Sequence, residues 1–131
     1  MKPLSAISKA LADSQVSSDD LVAGAIARAQ DPAGEGSRAF IELYDETAPT
    51  VARIRDALRA TGQPMGPLAG IPISIKDLFD VEGDVTRSGS VVLADRPPAA
   101  RDATVVARLR AAGAVLVGRT NMTEFAFSGL G

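Results

Sequence analysis

Hydrophobic positions along the chain follow two different periods. From Ser17 to Gln30 they fall at Leu21, Val22, Ala25, Ile26 and Ala29, the spacing of one face of an amphipathic helix. Ser17 or Ser18 is placed to cap that helix, with Asp19 and Asp20 in its first turn facing the positive end of the helix dipole. The run Asp31-Pro32-Ala33-Gly34-Glu35-Gly36 stops it and predicts a loop. Phe40–Leu43 reads as a short strand. A second helix is predicted from about Glu46 to Ala60, with Pro49 tolerated in the first turn and Gly62 closing it. Its expected packing face is Ala48, Val51, Ala52, Ala57 and Leu58, and Arg53, Arg55 and Arg59 are expected to form a solvated flank.

The pattern changes at Gln63. A turn-rich lead from Pro64 to Gly70 runs into Ile71, Ile73 and Ile75 alternating with Pro72, Ser74 and Lys76, which is strand periodicity. A Gly-, Asp- and Ser-rich loop follows from Val81 to Gly89. Asp102 or Thr104 then caps a predicted helix containing Val105, Val106, Leu109 and Ala112, ended by Gly113. Ala114–Gly118 reads as a buried strand, and Asn121 as the cap of a short helix from Met122 to Phe127. Strand, helix, strand in this order predicts an α/β fold, with helices packed on a partial, mixed sheet. The expected organisation is a mainly helical lead-in over 1–62 and an α/β part over 63–131.

Composition narrows the chemistry. The chain has 131 residues, 46% of them apolar and 23% charged, enough to bury a core. Its formal net charge of -2 supplies no positive field for nucleic acid or an anionic membrane, so neither is expected as a partner. No segment reads as a signal peptide or a bilayer span, and a cytoplasmic location is expected. The absence of both Cys and His removes thiol nucleophiles, disulfides and imidazole bases from this chain. No cofactor or metal site is expected. Asp77, Asp80, Glu82 and Asp84 lack the spacing of a calcium loop and read as a solvated acidic loop. Met122, Phe125 and Phe127 read as core.

Lys76 is the one lysine beyond residue 9, and it ends an apolar run. A partly desolvated lysine loses affinity for its proton and can serve as a general base, and Ser74 lies on the same side of the predicted strand. The alternative is a strand-end lysine paired with Asp77 or Asp80 and solvated at its tip. Spacing alone favours that alternative, because most charged side chains are solvated.

The run G-P-L-A-G-I-P-I-S-I-K-D, Gly66 to Asp77, strongly resembles the lysine-bearing segment of the amidase signature family. So do Ser88-Gly89-Ser90, D-A-T-V-V from Asp102 to Val106, and G-A-V-L-V-G-R-T-N-M-T-E-F-A from Gly113 to Ala126. The resemblance implies hydrolysis of non-peptide amide bonds in small molecules through a Ser-cisSer-Lys triad, with Lys76 as the base. It also implies that Ala126, Phe127 and Ser128 line the substrate side of the pocket. Ser74, Ser88, Ser90 and Ser128 do not match the family's two triad serines, which belong to a Gly/Ser-rich segment beyond the point matching Gly131. The resemblance therefore predicts an N-terminal portion, inactive alone, with Lys76 in a desolvated interior position. It further predicts that Ile73, Ile75, Val115 and Val117 lose packing partners. Either a homodimer or pairing with the remaining C-terminal part is expected. Two other identities stand beside it: a non-catalytic remnant or interaction module, and part of an amidotransferase A-type subunit that releases ammonia from glutamine.

Overall fold

The computed structural model describes residues 3–127. Its elements in chain order are α1 (Leu4–Ala12), α2 (Ser18–Gln30), α3 (Gly36–Ala39), β1 (Phe40–Leu43), α4 (Thr47–Ala60), β2 (Pro72–Lys76), α5 (Thr104–Ala111) and β3 (Val115–Thr120). Single 3-10 turns lie at Val91–Leu93 and Glu124–Ala126. The sheet order is β1-β3-β2, with β1 antiparallel and β2 parallel to the central β3. The α/β class and the mixed sheet expected from the sequence are therefore present.

β3 explains why Ala114–Gly118 is apolar at every position. It is central, and both of its faces are covered, so neither face can alternate with polar residues. Val115 and Val117 pack with Val22, Ile26, Ala48 and Ala52 of α2 and α4. Leu116 packs with Ile75, Val81 and Val106 on the other side, where α5 lies. Val115 and Ile75 are 0% and 4% exposed, so the expected loss of partners on these faces is not found. Ile73 is half-buried. Full burial of a Val or Ile side chain contributes about 1.5–3 kcal/mol, so these two clusters dominate the packing of the sheet.

α2 begins as predicted. Ser17 accepts from the Asp20 backbone N–H at 3.0 Å while Asp20 accepts from the Ser17 N–H at 3.2 Å, a reciprocal capping box. A second cap comes from α4. Asp56 accepts from the Ser18 N–H at 2.8 Å and the Asp19 N–H at 3.0 Å. Arg59 donates to Asp56 at 2.7 Å, to Ser18 Oγ at 3.3 Å and to the Ala69 carbonyl at 2.9 Å. This corrects the predicted packing face of α4. Ala48 and Ala52 are buried, but Ala57 and Leu58 are exposed. The inward stripe continues instead through half-buried Arg55, Asp56 and Arg59, so only Arg53 of the three arginines is a solvated flank.

Other boundaries also differ. Gly36, placed in the predicted loop, instead opens a helical turn over Gly36–Ala39, and a Cβ on it would lie 1.9 Å from the Ala29 carbonyl oxygen, so only Gly fits there against α2. Neither Asp102 nor Thr104 caps α5. The N-cap is Ala103, while the Asp102 carboxylate accepts from the Glu82 N–H at 2.8 Å and from Arg110 Nε at 2.8 Å. The predicted helix from Met122 to Phe127 does not form. Asn121 Oδ1 accepts from the Met122 N–H at 2.9 Å, and Phe125 and Ala126 take left-handed φ values of 52° and 56°. Met122 is buried, whereas Phe125 and Phe127 are exposed at 55% and 94%, so neither phenylalanine joins the core of this chain.

Candidate functional site

β2 and β3 run parallel, so their carboxyl ends, Lys76 and Thr120, lie side by side. The alternation along β2 puts Ser74 and Lys76 on its exposed face and Ile75 and Asp77 on its buried face. Lys76 is thus exposed in this chain, not in the desolvated interior expected of it. Among the described residues its side chain takes part in no hydrogen bond or ion pair, so neither Asp77 nor Asp80 is its partner. The solvated-tip half of the alternative reading holds and the acidic-pairing half does not.

Asp77 is the residue that sequence reasoning missed. Its side chain is 0% exposed and receives Arg119 Nη2 at 2.8 Å and Arg119 Nε at 3.2 Å. The Arg119 side chain is also 0% exposed and donates further to the Phe79 carbonyl at 3.1 Å and to Thr86 Oγ1 at 3.4 Å. Asp84 stands 3.5 Å from Arg119 Nη1 and accepts from the Tyr44 hydroxyl. The acidic loop is consequently not a solvated run, since two of its carboxylates fold onto one buried guanidinium. Burial works against the charge of Arg119, but the Asp77 hydrogen bond, with Tyr44 and the Asp77 charge, holds its pKa above the usual arginine value. Burial, and then the bond to Asp84, pushes the Tyr44 phenol well above its ordinary pKa.

A bulge makes this pairing possible. Ile73 is opposite Leu116 and Ser74 is opposite Gly118, so Val117 is an extra residue in β3. One extra residue inverts the alternation beyond it. Arg119 comes to lie opposite Ile75 and on the Ile73–Ile75–Asp77 face, where regular alternation from Leu116 would have turned it away. Gly118 sits at the irregularity in contact with β1, and a Cβ there would lie 2.4 Å from the Glu42 carbonyl oxygen.

The same carboxylate gathers a loop. Asp77 Oδ1 accepts from the Arg87 N–H at 3.2 Å and Oδ2 from the Gly89 N–H at 3.0 Å. The Asp77 backbone donates to the Thr120 carbonyl at 3.0 Å and accepts from the Ser88 N–H at 2.9 Å. Ser88 and Gly89 take left-handed φ values of 53° and 68°, a turn that directs both flanking N–H groups inward. From this loop two bonds reach the last described segment: Phe125 N–H to the Ser88 carbonyl at 2.9 Å, and Ser90 Oγ to Glu124 at 2.6 Å. Lys76, the Arg87–Ser90 loop and the Ala126–Phe127 segment therefore share one end of the sheet. Ser128 lies outside the described residues. A cavity of about 180 Å³ beside the loop is lined by Asp77, Arg87, Gly89, Ser90, Ile41 and Asn121 among others. Among the described residues no group of three acidic side chains converges to hold a metal ion, and no helix is long and apolar enough to cross a membrane.

Comparisons with known proteins identify the family. The sequence model of the Amidase family matches residues 20–130. The A subunit of glutamyl-tRNA(Gln) amidotransferase from Salinispora tropica is 52% identical over 89 residues, which are 67% of this chain and 18% of that protein. The AtzE subunit of 1-carboxybiuret hydrolase from a Pseudomonas species is 49% identical over 87 residues, 62% of this chain and 19% of that protein. The crystal structure of peptide amidase from Stenotrophomonas maltophilia superposes with a TM-score of 0.82 at 34% identity, covering 95% of this chain and 25% of that one. The chain thus spans about a fifth to a quarter of the length of these relatives. With the matched segment running from α2 through Lys76 and Arg119 to residue 130, the chain belongs to the amidase signature family.

Proposed function

We propose that residues 1–131 are the lysine-bearing part of a single amidase domain that hydrolyses the carbon–nitrogen bond of a small-molecule amide, with Lys76 as its base. The observation that carries this reading is that the family match over residues 20–130 contains Lys76, the Arg87–Ser90 loop and the Ala126–Phe127 segment, which gather at one end of the sheet. In this reading a serine hydroxyl attacks the amide carbonyl carbon. Its proton passes through a second serine to the Lys76 amine, and the carbon–nitrogen bond breaks as the nitrogen takes a proton. Water then hydrolyses the acyl-serine ester. Ala126, Phe127 and Ser128 contact the substrate. Both serines, and the backbone N–H groups that stabilise the oxyanion, come from further residues that pair with this part, in the same polypeptide or a second chain. Those residues also cover the Ser74–Lys76 face and desolvate the lysine. A cytoplasmic location belongs to the same proposal.

A second reading is supported by the relatives named as amidotransferase subunits; in this reading the amide that the chain helps to split is that of glutamine. One experiment separates the two. The full-length polypeptide carrying this chain is offered a panel of aliphatic and aromatic amides together with glutamine, and ammonia release is followed. Turnover of simple amides supports the hydrolase, and glutamine-restricted turnover supports the amidotransferase. Turnover of none of them overturns both.

A further inference from the structure

The geometry points to Asp77 as a positioning residue that fixes Lys76 relative to the Arg87–Ser90 loop. This inference rests on the proposed role of Lys76 and deepens it. Asp77 follows Lys76 directly, and its side chain is directed to the opposite, fully buried face. The orientation of the lysine therefore depends on how firmly the next residue is held. Asp77 is held from three directions at once. Its backbone N–H extends the β2–β3 ladder to Thr120. Its carboxylate is locked by Arg119 from β3, and both of its oxygens accept backbone N–H groups of the loop. No acceptor of another shape replaces it, because the two N–H groups of Arg87 and Gly89 need two oxygens in one plane, and Arg119 needs a charge.

The consequence reaches beyond the lysine. The loop held by Asp77 carries Ser88, whose carbonyl receives the Phe125 N–H, and Ser90, whose hydroxyl binds Glu124. One carboxylate thus couples the base to the segment that leads into Ala126 and Phe127. Buried ion pairs contribute little net stability, since desolvation offsets their attraction. A well-packed apolar pair could replace Asp77 and Arg119 in stability, but it would leave the loop N–H groups unanchored. This difference makes the role testable.

Two measurements decide it. In the first, amide hydrogen exchange is read by NMR on this chain and on its Asp77→Asn variant. We expect exchange at Gly89, whose acceptor Oδ2 becomes an amide NH2 while Oδ1 stays with Arg87 and Arg119, to speed up at least about tenfold, and the Val115 N–H, bonded to the Ile71 carbonyl at 2.9 Å, to keep its protection. Unchanged protection at Gly89 overturns the clamp, whatever the chain catalyses. In the second, kcat, KM and the unfolding midpoint are measured for the full-length polypeptide with Asp77→Asn alone and with Asp77→Leu and Arg119→Met together. Misplacement of a reacting group by about 1 Å costs on the order of 100-fold, so kcat should fall by about that factor in both variants with KM changed by less than about threefold. The paired variant should recover the unfolding midpoint but not kcat. If kcat recovers together with stability, Asp77 is merely structural and the inference fails. Lys76→Ala is the control. Wild-type inactivity would sink the amidase reading, and an active Lys76→Ala variant would sink the assignment of Lys76 as the base; in either case the exchange experiment would still report on the clamp.

Discussion

Replacing Asp56 should reveal how the first two long helices are held together. Its carboxylate accepts from the Ser18 and Asp19 N–H groups at 2.8 and 3.0 Å, and Arg59 pairs with it at 2.7 Å. Asp56→Ala removes two acceptors from the start of α2 and leaves the half-buried Arg59 with only Ser18 Oγ and the Ala69 carbonyl. Loss of a helix cap costs about 0.5–2 kcal/mol, and the capping box of Ser17 survives to limit the damage. Adding the orphaned guanidinium brings the expected loss to about 2–3 kcal/mol at pH 7. Against a total of about 5–15 kcal/mol this is large, and a domain of this size should lose roughly 6–15 °C in its unfolding midpoint. Burial works to raise the Asp56 pKa, but the Ser18 and Asp19 N–H bonds and the Arg59 charge outweigh it and hold the pKa below the usual aspartate value. A depressed folded-state value means that the contribution is complete above the unfolded value of about 3.9 and fades as pH falls through the folded one. Urea unfolding followed by circular dichroism at pH 7 and at about pH 2.5 tests both halves. The wild type and Asp56→Ala should differ by the stated amount at pH 7, and the difference should shrink at the acid value. A difference below about 0.5 kcal/mol at pH 7, or one that persists unchanged in acid, would refute the reasoning.

Three further outcomes follow from the same geometry. Arg119→Met should cost about 3–5 kcal/mol by leaving Asp77 charged and buried without its main partner, and adding Asp77→Leu should restore most of it; equal losses in the single and double variants by denaturant unfolding would contradict this. Gly118→Val should destabilise by about 1–3 kcal/mol, because its Cβ meets the Glu42 carbonyl at 2.4 Å and β1 must move, and a wild-type thermal midpoint would count against that contact. Burial first, and then the Asp84 charge, raise the Glu42 pKa, so its charge is disfavoured in the fold; Glu42→Gln should raise the midpoint at pH 7 and leave it unchanged near pH 3, and the opposite order would disprove the sign.

The elements that sequence made legible are those whose pattern is complete within a few residues. α2 shows its capping serine, its acidic first turn and its 3.6-residue face in one stretch, and β3 shows an unbroken apolar run because both of its faces are covered. Features set by distant residues were not legible. Asp56 and Arg59 read as an ordinary helix surface until α2 and the Ala69 carbonyl stand beside them. Phe125 and Phe127 read as core by composition, yet left-handed backbone at Phe125 and Ala126 turns the segment outward. Lys76 was found by its isolation in an apolar run and by its motif, whereas its buried neighbour was passed over as loop. A signal for Asp77 did exist, since it continues the Ile71–Ile73–Ile75 parity and so falls on the inward face. Arg119 carried no such signal. Regular alternation places it away from Asp77, and only the bulge at Val117 brings the two together.

The role of Lys76 is tested most directly by kcat for ammonia release from the full-length polypeptide, compared between wild type and Lys76→Ala at matched folded fraction. General-base catalysis contributes about 10²–10⁴-fold, so Lys76→Ala should lower kcat by at least about 100-fold with the unfolding midpoint unchanged. Turnover by Lys76→Ala within about threefold of wild type, far inside that range, would contradict the assignment of Lys76 as the base.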